Sequence, residues 1–110
     1  GFHRAAVAVR PRILAALAPH LAAGRKITYV GHSLGGALAT ILALHTRIMH
    51  PQSKVSLVTY GSPRVGDRRF ARLFDEQVSE SIRIVATFPC KGRTYADAVA
   101  TVPPKSGTQA

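Results

Sequence analysis

Hydrophobic and polar positions along the chain follow two different periods. Apolar residues recur every three to four positions in three segments, and this period predicts helices. These segments are residues 12–23, 34–50 and 67–80. Short runs rich in β-branched and aromatic residues predict strands between and after them. These runs are residues 26–30, 55–60 and 82–88. The regular alternation of helix and strand predicts a parallel α/β sheet with right-handed crossovers.

Proline and glycine indicate where the helices begin and end. Pro11 suits the first turn of the first helix, and Gly24 suits the position just after its end. Pro51 ends the second helix, and Asp67 is placed to cap the third. We expect the strand over 26–30 to be central in the sheet because Ile27, Tyr29 and Val30 are bulky and a glycine-rich turn with a serine at its tip follows.

The predicted sheet is thin for a parallel sheet. Residues 89–110 are predicted to be loop-rich, which leaves three strands. Parallel sheets are covered on both faces and usually have more strands than this. We therefore expect residues 1–110 to be a single partial α/β domain that is truncated at both ends.

A short turn joins the first predicted strand to the second predicted helix. It reads Gly31-His32-Ser33-Leu34-Gly35, with the serine at the tip of a strand–turn–helix unit. In this context the motif is typical of a nucleophile elbow. The alternative is a purely structural turn, because three fixed positions also occur together by chance.

Each position of this turn has a physical role if it is an elbow. Ser33 is then the candidate nucleophile, lifted clear of the sheet. Cβ atoms at Gly31 and Gly35 are expected to collide in so tight a turn, and Gly36 lets the helix pack close to the sheet. The backbone N–H of Leu34 is the expected first donor of an oxyanion hole.

The chain is strongly basic, with 15 Lys and Arg, 5 Asp and Glu and a formal net charge of +10. The basic residues are scattered and no aromatic residues interleave with them, so we expect no specific nucleic-acid site. A solvated basic surface is the simpler interpretation, and non-specific attraction to anionic membranes or nucleic acid is the alternative. Arg68, Arg69 and Arg72 cluster at a helix start, where they oppose the helix dipole.

Other features narrow the possible classes of protein. There is no run of eighteen apolar residues of the kind that spans a membrane. The single cysteine, Cys90, permits no intramolecular disulfide. We expect no metal and no organic cofactor, and no Cys/His spacing suggests zinc.

Three sequence blocks together resemble the class 3 lipases, α/β-hydrolases that include fungal triacylglycerol lipases and related feruloyl esterases. These blocks are residues 30–39 around the serine, residues 60–67 (Tyr-Gly-Ser-Pro-Arg-Val-Gly-Asp) and residues 97–104 (Asp-Ala-Val-Ala-Thr-Val-Pro-Pro). They occur in the family's order. The link between the third strand and Asp97 is longer than is usual in that family.

The resemblance implies the central part of an α/β-hydrolase fold, with a mostly parallel sheet and flanking helices. It also implies a secreted carboxylic ester hydrolase, most simply a triacylglycerol lipase that acts at a lipid–water interface through an acyl-enzyme at Ser33. Asp97 would be the triad carboxylate, and the alternative for Asp97 is an ordinary loop aspartate. Asp67 has no triad role in the family pattern.

The triad histidine of this family follows the aspartate, whereas every histidine here precedes Asp97. These histidines are His3, His20, His32, His45 and His50. We interpret His32 as structural, supporting the elbow or the wall of the site. The 110-residue chain alone is therefore expected to be inactive. The alternative function is a non-catalytic hydrolase-like module that binds lipid or a partner.

Overall fold

The chain alternates helices and strands as far as Ile84 and then forms a hairpin. The computed structural model describes residues 1–90 and 93–96. The elements are α1 (Phe2–Ala22), β1 (Ile27–His32), α2 (Leu34–Met49), β2 (Val55–Tyr60), α3 (Arg68–Gln77), β3 (Glu80–Ile84), β4 (Thr87–Cys90) and β5 (Arg93–Ala96). The predicted order of three helices alternating with three strands is confirmed.

Strands β1, β2 and β3 form a parallel sheet in that spatial order. β2 is the middle strand, so the prediction that the strand over 26–30 is central was wrong for the described sheet. β1 lies at its edge, and Val30 on β1 is 63% exposed. Bulky apolar residues indicate a strand with one buried face. They do not indicate whether that strand has neighbouring strands on both sides.

All three described helices contribute to a core on one face of the sheet. Both crossovers run in the same direction along the sheet, so right-handed connections place α2 and α3 on the same side. The buried residues are Ile27, Ala39, Ala43, Leu44, Val55, Leu57, Phe74 and Val78, with Leu17 and Leu21 of α1 against them. On the opposite face Ile82 is 59% exposed.

Helix α1 begins ten residues before the predicted start at residue 12. Pro11 therefore lies inside the helix, and its assignment to the first turn was wrong. Packing explains the extension, because the fully buried Ala6 lies against Ala37 and Ile41 of α2. Gly24 ends the helix as predicted, with a φ of 72°.

The start of α3 follows the prediction, but the helix ends at Gln77 and not near Glu80, which begins β3. Asp67 caps α3 by accepting a hydrogen bond from the Phe70 N–H at 3.0 Å, which lowers the pKa of Asp67. The single strand predicted over 82–88 was wrong, because β3 ends at Ile84. Residues 87–90 pair instead with 93–96 in an antiparallel hairpin, most of which lies in the segment (89–110) that was predicted to be loop-rich. The composition of a segment can indicate that it forms a strand, but it does not determine which strand it pairs with.

Three basic side chains meet where α1 packs on α2. Arg10 Nη1 lies 3.1 Å from His45 Nδ1, and the rings of His3 and His45 are 5.4 Å apart. Burial, followed by the charges of Arg10 and His3, lowers the pKa of His45. His45 is therefore held neutral, as an acceptor for the guanidinium.

This contact predicts a pH-dependent stability. Because folding lowers the pKa of His45 from its ordinary value of 6.5, the unfolded chain binds more protons in mildly acidic solution. The free energy of unfolding should therefore fall as the pH drops through 6.5 and below. In His45→Gln this part of the pH dependence should disappear, as measured by denaturant unfolding over a pH series. His50→Gln, at an exposed position just after the same helix, is the control, and an identical pH dependence in the wild type and His45→Gln would refute the assignment.

Candidate active site

Ser33 has a backbone conformation unlike that of any other non-glycine residue described. Its φ is 53° and its ψ is −122°, and it lies between the end of β1 and the start of α2. The Ser33 N–H donates to the carbonyl of Tyr60 at 2.9 Å, and the Ser33 carbonyl accepts from the Gly36 N–H at 2.9 Å. Bonds to β2 on one side and to the first helical turn on the other therefore hold the strained residue in place.

Two glycines of the turn are required by close backbone contacts, and one is not. A Cβ on Gly31 would overlap the carbonyl of Gly35, and a Cβ on Gly36 would lie 2.7 Å from the Ser62 Cβ. A Cβ on Gly35 would meet nothing within 4 Å. The expected collision at Gly35 was therefore wrong, because this residue lies on the exposed side of the first turn of α2.

Ser33 lines an open cleft of about 370 Å³ at the carboxyl ends of the three parallel strands. The lining residues are His32, Ser33, Tyr60, Gly61, Ile84, Val85 and Ala86. Ligands of open α/β sheets bind at this edge of the sheet. His32 is exposed and forms part of the wall of the cleft, which is one of the two places considered for it from the sequence.

The N-terminus of α2 directly follows Ser33. Leu34 is the first residue of α2, so its N–H has no acceptor within the helix. The N-terminus of a helix carries partial positive charge, and no acidic side chain in the first turn of α2 offsets it. The arrangement can stabilise negative charge that develops on a ligand bound beside Ser33.

The loop after β2 is tied to β3 by two hydrogen bonds. The Gly61 N–H donates to the carbonyl of Ile84 at 2.8 Å, and Arg83 Nη2 donates to the carbonyl of Ser62 at 2.7 Å. Burial and the neighbouring charge of Arg64 lower the pKa of Arg83. This role of Arg83 was not predicted, although an arginine at an inward position of a strand is a signal that the sequence shows.

The two acids considered from the sequence, Asp97 and Asp67, can be compared with the structure to different extents. Asp97 lies outside the described residues. Asp67 serves as the cap of α3 and does not line the cleft with Ser33.

His20 contacts Arg25 and His45 contacts Arg10, so these two histidines are held away from the cleft.

The other features of the described residues give little evidence of a second functional site. A cleft of about 520 Å³ lies at the opposite edge of the sheet, where Ser53 donates its hydroxyl to the carbonyl of His50. No group of three or more His, Cys, Asp and Glu residues there is arranged to hold a metal ion. None of the described helices is both long and apolar enough to cross a membrane.

Comparison with known proteins reveals consistent similarities. A family model described as Lipase (class 3) matches residues 1–106. Lipase ZK262.3 of Caenorhabditis elegans is 48% identical over 59 residues, which are 50% of this chain and 16% of that protein. Phospholipase A1-II 4 of Oryza sativa subsp. japonica is 39% identical over 88 residues, 70% of this chain and 22% of that protein. Secreted mono- and diacylglycerol lipase 2 of Gibberella zeae is 44% identical over 50 residues, 46% of this chain and 12% of that protein.

A solved structure is also similar. The crystal structure of M37 lipase matches 54% of this chain and 19% of its own chain, with 31% identity and a TM-score of 0.50. This similarity and the parallel sheet with flanking helices confirm the predicted α/β-hydrolase fold. The chain spans less than a quarter of the length of each of these proteins.

The glycine contacts predict opposite effects for two substitutions in the same turn. Gly31→Ala should lower the free energy of unfolding by roughly 1–3 kcal/mol or more, because the added methyl group overlaps the backbone of α2. Gly35→Ala should raise it by about 0.5–1 kcal/mol, because alanine favours the helix and the methyl group meets open space. Denaturant unfolding measures both, and equal effects at the two positions would contradict the described turn.

Proposed function

Because the chain belongs to the class 3 lipase family, we propose that the protein carrying it hydrolyses carboxylic esters of lipids with Ser33 as its nucleophile. The observation that carries this proposal is the backbone of Ser33, which is held at a φ of 53° at the mouth of an open cleft. A residue tolerates such strain where its surroundings enforce it, and these positions are concentrated in active sites.

The proposed chemistry is acyl transfer through a covalent intermediate. The Ser33 hydroxyl attacks the ester carbonyl and gives its proton to a histidine base, and the Leu34 N–H binds the oxyanion that forms. The carbonyl then re-forms, the alcohol departs with the proton from the histidine, and an acyl ester remains on Ser33. Water attacks this ester in the same way and releases the fatty acid. Asp97 is the proposed carboxylate that orients the histidine.

The histidine is proposed to come from outside these 110 residues. None of the five histidines follows Asp97. The relatives compared are several times longer than the chain, and one face of the described sheet is exposed. Both observations support the interpretation of residues 1–110 as part of a larger hydrolase domain. By itself the chain then lacks a base for Ser33.

Acylglycerols are the proposed substrates. Relatives are named as mono- and diacylglycerol lipases and as phospholipases A1, and these two classes share a carboxylic ester next to glycerol. We propose triacylglycerol hydrolysis at a lipid–water interface as the main activity. Secretion is proposed from the names of the fungal relatives, although other relatives are named as chloroplastic.

A second candidate function is a non-catalytic hydrolase-like module. The observation in its favour is the formal net charge of +10, which attracts anionic surfaces without any catalytic group. Such a module would bind lipid without turnover. Ester hydrolysis by the complete protein discriminates between the two functions.

The nucleophile is tested by Ser33→Ala in the complete protein. Activity on a water-soluble short-chain ester should fall by about 10³- to 10⁶-fold, because removing a nucleophile leaves only binding and the oxyanion hole. Ser81→Ala is the matched control, since that serine is exposed on β3 and does not line the cleft. Undiminished turnover in Ser33→Ala would eliminate the proposal.

The triad carboxylate is tested by comparing Asp97→Asn with Asp67→Asn. Asp97→Asn should lower kcat by about 10⁴-fold because the histidine loses its orienting charge. Asp67→Asn should retain activity, because asparagine caps a helix about as well as aspartate does. Steady-state ester hydrolysis measures both variants. A large loss in Asp67→Asn with full activity in Asp97→Asn would reverse the assignment.

A further inference from the structure

The charges on α3 are arranged against the helix dipole. Arg68, Arg69 and Arg72 occupy the first half of the helix, whereas Asp75 and Glu76 occupy the second half. Cations near a helix N-terminus and anions near its C-terminus both disfavour the helix. This order does not stabilise α3, so the separation of charge calls for another explanation.

The three arginines form a single exposed patch. Positions 68 and 72 and positions 69 and 72 are neighbours on a helix surface, and all three side chains are exposed. The buried Ala71 and Phe74 anchor the other side of the helix. Arg68, Arg69 and Arg72 are called the arginine patch below.

The arginine patch begins at the edge of the sheet that holds Ser33. α3 follows β2 through the loop after Tyr60, and Tyr60 and Gly61 line the cleft with Ser33. Gln77, at the other end of α3, leads to Glu80 at the start of β3. Glu80 therefore lies at the amino ends of the strands, opposite the end that holds Ser33. Along the strand direction, the positive half of α3 therefore lies nearer to the end of the sheet that holds the cleft than the negative half does.

Acidic residues do little to offset this charge at the edge that holds the cleft. Asp75 and Glu76 lie one helical turn after Arg72 and offset part of its charge, whereas Asp67, next to Arg68, is engaged as the cap of α3. Glu80 lies at the far edge and forms an ion pair with Lys26. The patch is therefore a local source of positive potential on a chain whose net charge is already +10.

Exposed apolar side chains lie beside both the cleft and the patch. Leu34, next to Ser33, is 53% exposed, and Leu73, next to Arg72 on α3, is 38% exposed. Apolar groups beside basic ones match the interface of an anionic bilayer, which offers both acyl chains and phosphate groups. Nucleic acid offers phosphates but no acyl layer, and the patch carries no exposed aromatic residue on which bases could stack.

We propose that the arginine patch docks the edge bearing Ser33 onto a surface of anionic phospholipids. The cleft then faces the layer in which ester substrates are dissolved. This inference rests on the proposed ester hydrolysis, and it adds the sign of the surface charge and the side chains that recognise it.

The test uses the complete protein with Ser33→Ala, so that binding is measured without hydrolysis. It is sedimented with vesicles of phosphatidylcholine alone and with vesicles that also contain phosphatidylglycerol. Binding should require phosphatidylglycerol and should weaken as salt is added, because salt screens exposed charges. Equal binding to the two kinds of vesicle, or no binding to either, would overturn the proposal.

The residues are tested by R68Q/R69Q/R72Q. The partition coefficient onto anionic vesicles should fall on the order of a hundredfold, since each basic residue near such a surface contributes roughly a fivefold factor. R12Q/R25Q/K54Q removes the same charge from exposed positions outside the patch and should have a much smaller effect. Equal losses of binding in the two triple variants would show that binding depends only on the net charge. That result would contradict docking through α3.

Two further measurements separate docking from other causes. The melting temperature of R68Q/R69Q/R72Q should not fall, because the arginines oppose the helix dipole. If that variant does not fold, R72Q alone should lower the partition coefficient roughly fivefold, and unchanged binding of R72Q would count against the patch. Preferential binding of duplex DNA over anionic vesicles would also overturn the proposal, whereas failure to hydrolyse a soluble ester would contradict the proposed function alone.

Discussion

The close approach of β1 to the first turn of α2 determines the backbone of the serine turn, the packing of α2 and the position of the cleft. The backbone of Gly31 lies directly against Gly35 and Gly36, so the chain must reverse at a single residue, Ser33. Its positive φ is the geometric consequence. The same reversal places α2 on the sheet, where it forms the centre of the core.

The packing of α2 and the position of the cleft are therefore linked. Gly36 allows α2 to contact Ser62, and Arg83 holds the Ser62 carbonyl from β3. The loop that forms one wall of the cleft is thus fixed both to the helix and to the sheet. A change that loosens α2 would move Ser33, the Leu34 N–H and this wall together, which explains why one turn has so large an influence on the site.

The sequence predicted those elements whose signals were local and consistent. A long apolar helix after the serine, a strand over 55–60 and a cap at Asp67 needed no knowledge of distant partners, and the structure has all three. The start of α1 was mispredicted because the burial of Ala6 against α2 outweighs the signal at Pro11. The position of β1 in the sheet and the β4–β5 pairing also depend on partners that composition does not specify. The prediction of Ser33 used a motif, whereas the contact between Arg83 and Ser62 joins residues far apart in sequence and has no motif.

Covalent labelling of the complete protein shows which serine is the nucleophile. An organophosphorus ester transfers its phosphorus group to a serine that is activated as a nucleophile, and peptide mass spectrometry locates the adduct. We expect one adduct, on Ser33, together with loss of ester hydrolysis in proportion to labelling. An adduct on another serine, or unlabelled Ser33 in a protein fully inactivated by the reagent, would contradict the assignment of this turn as the catalytic centre.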